Sequence, residues 1–150
     1  MIGRWLSKVL VKGVVMAVVG MQSLAVAAEY VSVSKDGVNL RSGPGTDTAI
    51  LFELPIHYPL QVLGREGQWL RVTDFEGDKG YIVSSLVSNT PYVIVKVNEC
   101  RIRKGPSTND PVIGTGAREV IFAKGTQQGD WIKVTHPDVT GWLHKDLVWP

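Results

Sequence analysis

The sequence predicts an all-β protein of two tandem small β-barrels that follow an N-terminal signal peptide, and three observations support this fold class. One pattern of residues occurs twice, with its matching positions 62 residues apart. Within each copy, apolar and polar residues alternate with a period of two, which is typical of half-buried strands. Turn-forming residues separate these short runs, and no segment after residue 28 shows a convincing helical period over ten residues.

The first 28 residues have the composition of an export signal. A basic start leads into the apolar run Gly13–Ala28, whose end offers small residues at Ala27 and Ala28. This three-part pattern predicts a signal peptide over residues 1–28, cleaved near Ala27/Ala28, and a mature chain that is exported to the periplasm or the extracellular space. The alternative is a retained membrane anchor, but the run is interrupted and shorter than the ~20 residues of a spanning helix.

The charge distribution argues against a nucleic-acid partner. The chain carries a formal charge of +2, but Arg4, Lys8 and Lys12 lie in the predicted signal peptide, and without them the net charge is −1. A nucleic-acid binder would keep a basic patch in its folded part. We therefore expect no nucleic-acid partner and, after signal cleavage, no membrane contact; the oligomeric state stays open. The single cysteine, Cys100, cannot form an internal disulfide, so the core and the sheet hydrogen bonds must hold the fold.

The repeat divides the chain into an N-terminal domain over residues 29–88 and a C-terminal domain over residues 89–150. The repeated motifs are Arg-x-Gly-Pro-x-Thr loops from Arg41 and Arg103, Gly-x-Trp-x-x-Val-Thr from Gly67 and Gly129, and Gly-Tyr/Trp-Ile/Leu from Gly80 and Gly141. The linker Ser88-Asn-Thr-Pro91 is short, and its proline restricts the residues before it. The two units should therefore form one rigid pair.

Each copy should hold five or six short strands. In the first copy, four alternating pairs mark the buried face: Val31/Val33, Val38/Leu40, Leu60/Val62 and Leu70/Val72. Asp36-Gly37 is a tight-turn dipeptide, and the segment from Gly64 to Gly67 also indicates a turn. The Gly-Pro that follows Arg41 ends a strand and opens a long loop, because proline lacks a donor and glycine favours unusual dihedrals. Arg41 and its counterpart Arg103 should point outward.

The order of these motifs resembles that of bacterial SH3 (SH3b) domains, over nearly the whole length of both units. The segment from Gly141 to Val148, Gly-Trp-Leu-His-Lys-Asp-Leu-Val, is especially similar to the closing motif of that family. The resemblance implies two tandem SH3-like barrels. The segment Gly80–Val87 is also similar to the ending of eukaryotic SH3 domains, but it departs from it at Val83 and Leu86, where that family has proline and tyrosine.

The resemblance also implies a ligand-binding groove in each unit. The positions that line the groove of SH3 domains correspond here to Trp69, Tyr81, Val83 and Leu86 in the first unit and to Trp131, Trp142, His144 and Leu147 in the second. Strand alternation also predicts an outward position for Trp69, because its side chain points to the face opposite that of the predicted core residue Leu70. The alternative is a packing role, in which these aromatic side chains seal the contact between the units or cover a barrel end.

Candidate catalytic residues are few. Cys100 with His136 or His144 would make a nucleophile and base, but Cys100 aligns with Val38 on an alternating strand, which predicts a buried core position. The three histidines, His57, His136 and His144, lack the clustered spacing of metal ligands. No glycine-rich phosphate loop leads into a helix. On these grounds we expect no enzyme activity, no metal and no cofactor.

The predicted function is therefore that of a non-enzymatic binding protein of the cell envelope. SH3b domains accompany cell-wall hydrolases, so the resemblance implies peptidoglycan peptides or other cell-wall-associated ligands as partners. Two alternatives stay open. One is a periplasmic adaptor that binds extended segments of a partner protein, as SH3 domains bind polyproline helices. The other is a structural subunit of an envelope complex that buries the aromatic side chains against its neighbours.

Overall fold

The computed structural model describes residue 20 and residues 26–150, and almost all of the predicted signal peptide over residues 1–28 lies outside these described residues. The first unit holds β1 (Glu29–Val33), β2 (Val38–Arg41), β3 (Ile50–Leu54), β4 (Pro59–Glu66), β5 (Trp69–Thr73), β6 (Lys79–Val83) and β7 (Val87–Ser88). The second unit holds β8 (Tyr92–Val95), β9 (Glu99–Arg103), β10 (Val112–Ala117), β11 (Ile121–Gln128), β12 (Trp131–His136), β13 (Val139–His144) and β14 (Val148–Trp149).

The two units share one topology, which confirms the predicted all-β class and the tandem arrangement. The strand order is β3-β2-β6-β5-β4-β1-β7 in the first sheet and β10-β9-β13-β12-β11-β8-β14 in the second. Within residues 26–150 each unit has seven strands, where five or six were predicted, and a 3-10 turn precedes the last one (Ser84–Leu86 and Lys145–Leu147). The sheets are open rather than closed barrels, because the two-residue strands β7 and β14 pair only with β1 and β8.

Each unit has its own core, built from alternate residues of its strands. On β5, Leu70 and Val72 are buried while Trp69 and Arg71 lie on the opposite face, as the period of two predicted. The second unit repeats this on β12. The predicted turn from Gly64 to Gly67 is shorter than expected, since β4 runs on to Glu66 after a bulge and only Gly67, at φ +59°, and the next residue make the turn.

The glycine of the Gly-Tyr/Trp motif is required by the close approach of two strands. A Cβ on Gly80 would lie 2.7 Å from Leu40 Cγ and 2.9 Å from the Arg41 carbonyl oxygen on β2. A Cβ on Gly141 would lie 2.7 Å from the equivalent carbonyl oxygen of Arg103. Because such distances are shorter than van der Waals contact, any larger residue would push β6 or β13 away from the strand that leads into the long loop.

Aromatic and charged side chains join the two units. The His57 ring stacks on Tyr92 with centroids 4.0 Å apart and planes 7° from parallel. Tyr30 meets Trp149 edge to face at 5.6 Å. The guanidinium of Arg118 lies 5.3 Å from the centre of the Phe75 ring and 3.3 Å from Glu76 Oε1, and the Ser32 hydroxyl donates to the Thr90 carbonyl of the linker at 2.8 Å. These contacts favour the fixed pair that the short linker predicts.

The described part of the chain holds no helix with the length and apolar character that a bilayer crossing requires.

Candidate functional site: two equivalent grooves

Each unit carries a surface groove between its long loop and the end of its last long strand. We name them groove one, which has a volume of about 220 Å³, and groove two, of about 340 Å³. Four kinds of residue line both grooves at equivalent positions, namely Arg41/Arg103, Thr46/Thr108, Trp69/Trp131 and Leu86/Leu147. The repeat of the sequence therefore produces a repeat of one surface site.

The arginine that opens each loop holds that loop in place. Nη1 of Arg41 donates to the carbonyl oxygens of Thr46 and Thr48 at 3.0 and 2.9 Å. Nη1 of Arg103 donates in the same way to Thr108 and Asp110 at 2.9 and 3.0 Å. The sequence predicted that both arginines point outward, but it did not predict that they hold the loops in place. The signal was present in the equal spacing between the arginine and the threonine in the two copies.

Six of the eight predicted ligand-binding residues line these grooves. Trp69, Val83 and Leu86 line groove one, and Trp131, His144 and Leu147 line groove two. Strand pairing places them together, because Trp69 lies opposite Val83 and Trp131 lies opposite His144 in the register of neighbouring strands. None of the six takes part in the ring stacking, cation–π or ion-pair contacts that join the units within residues 26–150.

The other two predicted residues, Tyr81 and Trp142, lie outside the grooves. Trp142 is only 9% exposed, so the prediction that it lines an open surface is wrong. In the strand register it sits between Arg103 on one side and Lys133 on the other. Side chains directly opposite each other in a sheet share a face, so Arg103, Trp142 and Lys133 lie on the same side of the second sheet. Tyr81 occupies the equivalent place on β6 and is half-buried.

The two grooves differ in charge and polarity. Among the described residues, those that line groove one include Lys35 and Arg41 and no carboxylate. Groove two is lined by Arg101 and Arg103, and the carboxylate of Glu99 partly offsets their charge. At the position of Val83 in groove one, groove two has His144, whose ring meets the Trp131 ring edge to face at 5.4 Å.

Cys100 lies beneath groove two as part of the core, as its alignment with Val38 predicted. It is 2% exposed and packs in the hydrophobic cluster of the second unit. Burial raises the pKa of its thiol above the ordinary value. Since the thiolate is the reactive form of cysteine, this environment disfavours nucleophilic chemistry at Cys100.

A third cavity, of about 290 Å³, lies beside the contact between the units and is lined largely by carboxylates, Glu119 of the second unit among them. In it the Tyr58 hydroxyl donates to Asp74 Oδ2 at 2.9 Å, and burial together with this bond raises the pKa of Tyr58. The other oxygen of Asp74 accepts the backbone N–H groups of Glu76 and Asp78. The Tyr58–Asp74 pair was missed in the sequence because its members are 16 residues apart and no motif links them.

The three histidines make separate contacts. His57 stacks on Tyr92, His136 meets Phe122 edge to face at 5.6 Å, and His144 lines groove two. Within the described residues, no three histidine, cysteine or acidic side chains come together in a group that could hold a metal ion.

Comparison with known families agrees with this architecture. The family description "Bacterial SH3 domain" matches residues 36–88, and a second family with the same description matches residues 96–150. The chain therefore belongs to the bacterial SH3 domain proteins and holds two tandem copies of the domain.

Among individual proteins, the chain is similar to the "Putative N-acetylmuramoyl-L-alanine amidase YrvJ" of Bacillus subtilis (strain 168). The two are 27% identical over 140 residues, which cover 84% of this chain and 26% of that relative. The chain thus spans about a quarter of the relative's length. Two solved structures, NlpC2 and NlpC1 from Trichomonas vaginalis, match with TM-scores of 0.36 at 14% and 13% identity, over 83% and 85% of this chain and 48% of each of theirs.

This comparison corrects one sequence prediction. We expected a protein without enzyme activity, because the residues offer no accessible nucleophile beside a base. The relative that matches most of this chain is named as an amidase, which contradicts that expectation. The side chains of two small domains do not decide the activity of a protein, because similar domains occur in a chain that is named for hydrolysis.

Proposed function

We propose that the two SH3b units bind the peptidoglycan of the cell envelope and bring it to amidase-type hydrolysis of the wall. One observation carries the proposal: two equivalent grooves, each walled by a half-buried tryptophan, lie on matching faces of two domains of the bacterial SH3 family. Large aromatic rings that stay partly open to solvent are typical contact residues for ligands. The name of the Bacillus subtilis relative supports the cell wall as the source of the ligand.

The size and charge of the grooves favour the peptide part of peptidoglycan as the ligand. Volumes of about 220 and 340 Å³ suit a short peptide segment rather than a long glycan. Lys35 and Arg41 in groove one, and Arg101 and Arg103 in groove two, provide positive charge for the carboxylates of such a peptide. The shared tryptophan would pack on its aliphatic portions.

Binding to the wall requires export, and we propose that residues 1–28 act as a signal peptide cleaved near Ala27/Ala28. N-terminal sequencing of the protein from an envelope fraction should show a mature chain that begins at Ala28 or Glu29. A mature chain that still contains residues 1–27 would contradict cleavage and would indicate a retained anchor.

Co-sedimentation with purified peptidoglycan sacculi tests the binding part of the proposal. The wild-type protein should pellet with sacculi, and a double variant, Trp69→Ala with Trp131→Ala, should stay in the supernatant with an unchanged melting temperature. Tyr81→Ala is the matched aromatic control, because Tyr81 lies near groove one but does not line it. Wild-type protein that stays in solution, or a double variant that pellets as well as wild type, would contradict wall binding through the grooves.

Capture experiments and size measurements with the same protein distinguish wall binding from the two alternative functions. Capture of one specific envelope protein, with sacculi left unbound, would favour the adaptor. A large particle that falls apart in the double variant would favour a structural subunit.

The proposed role in amidase-type hydrolysis is tested by measuring the release of amino groups. Cleavage of an N-acetylmuramoyl–L-alanine amide frees one amino group, which an amine-reactive dye detects. Depleting the protein from an envelope extract should lower amine release from sacculi, and wild-type protein, but not the double variant, should restore it. Amine release that does not respond to depletion would contradict a role in amidase-type hydrolysis even if sacculi are bound.

A further inference from the structure

His144 stands where the two grooves differ most in chemistry. It is the last residue of β13, lies opposite Trp131 in the register, and meets that ring edge to face at 5.4 Å with planes 82° apart. The equivalent residue of the first unit is Val83, opposite Trp69. The same place on the groove wall is therefore apolar in one unit and an imidazole in the other.

The turn after β13 favours one of the two neutral tautomers of the His144 ring. The backbone N–H of Asp146 donates to Nδ1 at 3.2 Å, which caps the 3-10 turn Lys145–Leu147. The carboxylate of Asp146 lies 3.5 Å from the same nitrogen and is 75% exposed, so water is free to solvate it. A neutral imidazole has one donor and one acceptor nitrogen. With Nδ1 as the acceptor, the proton lies on Nε2.

A second histidine repeats this local geometry away from the grooves. The backbone N–H of Asp138 donates to Nδ1 of His136 at 3.3 Å, and the carboxylate of Asp138 lies 3.7 Å from that nitrogen. His136 packs against Phe122 and lines neither groove. It therefore provides a matched control for every measurement on His144.

We propose that His144 is a specificity-determining residue of groove two. Its Nε2–H donates a hydrogen bond to an acceptor oxygen of the ligand, a carbonyl or carboxylate of a peptide, beside Trp131. Groove one, with Val83 at this place, accepts an apolar group there instead. The inference rests on the proposed function for the identity of the ligand, but the tautomer of His144 is a property of the protein alone. A site that donates a hydrogen bond discriminates strongly between ligands, because a ligand without an acceptor leaves the donor unpaired.

Nitrogen-15 NMR of the histidine rings at a pH of about 8, where imidazole is neutral, tests the first step. His144→Asn and His136→Gln assign the signals. Both His144 and His136 should be protonated on Nε2, and soluble muropeptides prepared from sacculi should shift the His144 signal but not that of His136. Protonation of His144 on Nδ1 would overturn the proposal whatever the protein binds. Failure of wild-type protein to bind sacculi at all would count against the proposed function while this tautomer result still stands.

Muropeptide titrations in a Trp69→Ala background, where groove one is disabled, test the second step. His144→Val should weaken binding about tenfold, the effect of roughly one lost hydrogen bond. His144→Asn keeps an acceptor for the Asp146 N–H but has no donor at the position of Nε2, so it should weaken binding equally. Normal binding by His144→Asn would assign His144 a merely structural role and overturn the proposal, and so would normal binding by both variants.

Muropeptides with free and with amidated carboxyl groups distinguish the two sources of the acceptor oxygen. If His144→Val weakens binding of both forms, the acceptor is a carbonyl; if it weakens only the free acid, the acceptor is a carboxylate. An equal affinity of wild type and His144→Val for both forms would overturn the proposal.

Discussion

The two units fill the same core volume with different residues. In the first unit, Leu54 on β3 and Leu60 on β4 are both buried. The equivalent residues of the second unit are Gly116 and Phe122, and a Cβ on Gly116 would lie 3.2 Å from Phe122 Cζ. The phenyl ring thus occupies space that a second leucine fills in the first unit. Two copies of one fold can exchange residues in this way because a core requires a total volume and an apolar surface, not particular side chains.

The grooves show the opposite behaviour. Their shared framework of arginine, threonine, tryptophan and leucine is kept in both units, while single positions on the wall change from Val83 to His144 and from Asn39 to Arg101. A core change of this size needs compensation from a packed neighbour, whereas a half-exposed wall residue needs none. The two grooves are thus built on one framework and differ in the charge and polarity of their walls.

The largest expected effect is on the core of the second unit. Phe122→Ala should lower the free energy of unfolding by about 3–5 kcal/mol, since it removes the largest fully buried side chain among the described residues and leaves a cavity. Denaturant unfolding followed by tryptophan fluorescence measures it. Leu60→Ala is the matched change in the first unit. A loss below about 1 kcal/mol for Phe122→Ala would show that this ring does not hold the core together.

A larger residue at Gly116 should destabilise the second unit, and the loss should be smaller when Phe122 is also replaced by the leucine of the first unit. A Cβ on Gly116 would lie 3.0 Å from the Cys100 sulfur and 3.2 Å from the Phe122 ring, so a larger side chain has no room there. Gly116→Leu alone should therefore cost about 1–3 kcal/mol of unfolding free energy through overpacking. Together with Phe122→Leu it should cost less than Gly116→Leu alone. Additive losses in this double-mutant cycle would contradict the exchange of volume between the two sites.

The two groove tryptophans should differ in their effect on binding. Trp131→Ala should cost about 2 kcal/mol or more in sacculus or muropeptide affinity, the usual loss for an aromatic contact residue. Trp69→Ala should cost less, because groove one is smaller and has Val83 where groove two has the polar His144. Parallel titrations and thermal melts of both variants measure this. Equal large losses of melting temperature with unchanged affinity would assign both rings to packing instead.

Tyr58 should give the first unit a sensitivity to alkaline pH that depends on a phenol, whereas Val120 stands at the equivalent position of the second unit. The raised pKa of Tyr58 means that the folded protein holds the phenol proton more tightly than the unfolded chain. This contribution to stability is complete below about pH 10, the ordinary tyrosine value, and is lost as the pH rises above it. Ultraviolet titration should show one late-ionising phenol that disappears in Tyr58→Phe. Ionisation of Tyr58 at about pH 10, the ordinary tyrosine value, would contradict this.

The smallest expected effect is that of Cys100→Val, which places the residue of the first unit into the core of the second. The change should alter the free energy of unfolding by less than about 1.5 kcal/mol and leave sacculus binding intact, because the volume and apolar character are similar. The native thiol should resist labelling until denaturant is added. Rapid labelling of the folded protein, or lost binding in the valine variant, would contradict a purely structural role for Cys100.

Much of this architecture follows from the sequence alone. The spacing of 62 residues established the two units, and the period of two placed Leu70 and Val72 in the core and Trp69 on the other face. These inferences succeed because they depend on local geometry, in which a strand sends successive side chains to opposite sides. Six of the eight residues that the family resemblance assigned to a groove line one, and strand alternation agreed for Trp69.

Only the tertiary structure decided which outward-facing residues stay open to solvent. Alternation placed Trp142 and His144 on one face, but Trp142 is 9% exposed while His144 lines groove two. The partners of the contact between the units, such as His57 and Tyr92, were likewise invisible in the sequence, because they depend on how two finished sheets meet. Strand periodicity determines the side of a sheet on which a residue lies; burial on that side depends on how neighbouring strands and loops pack around it, which periodicity does not specify.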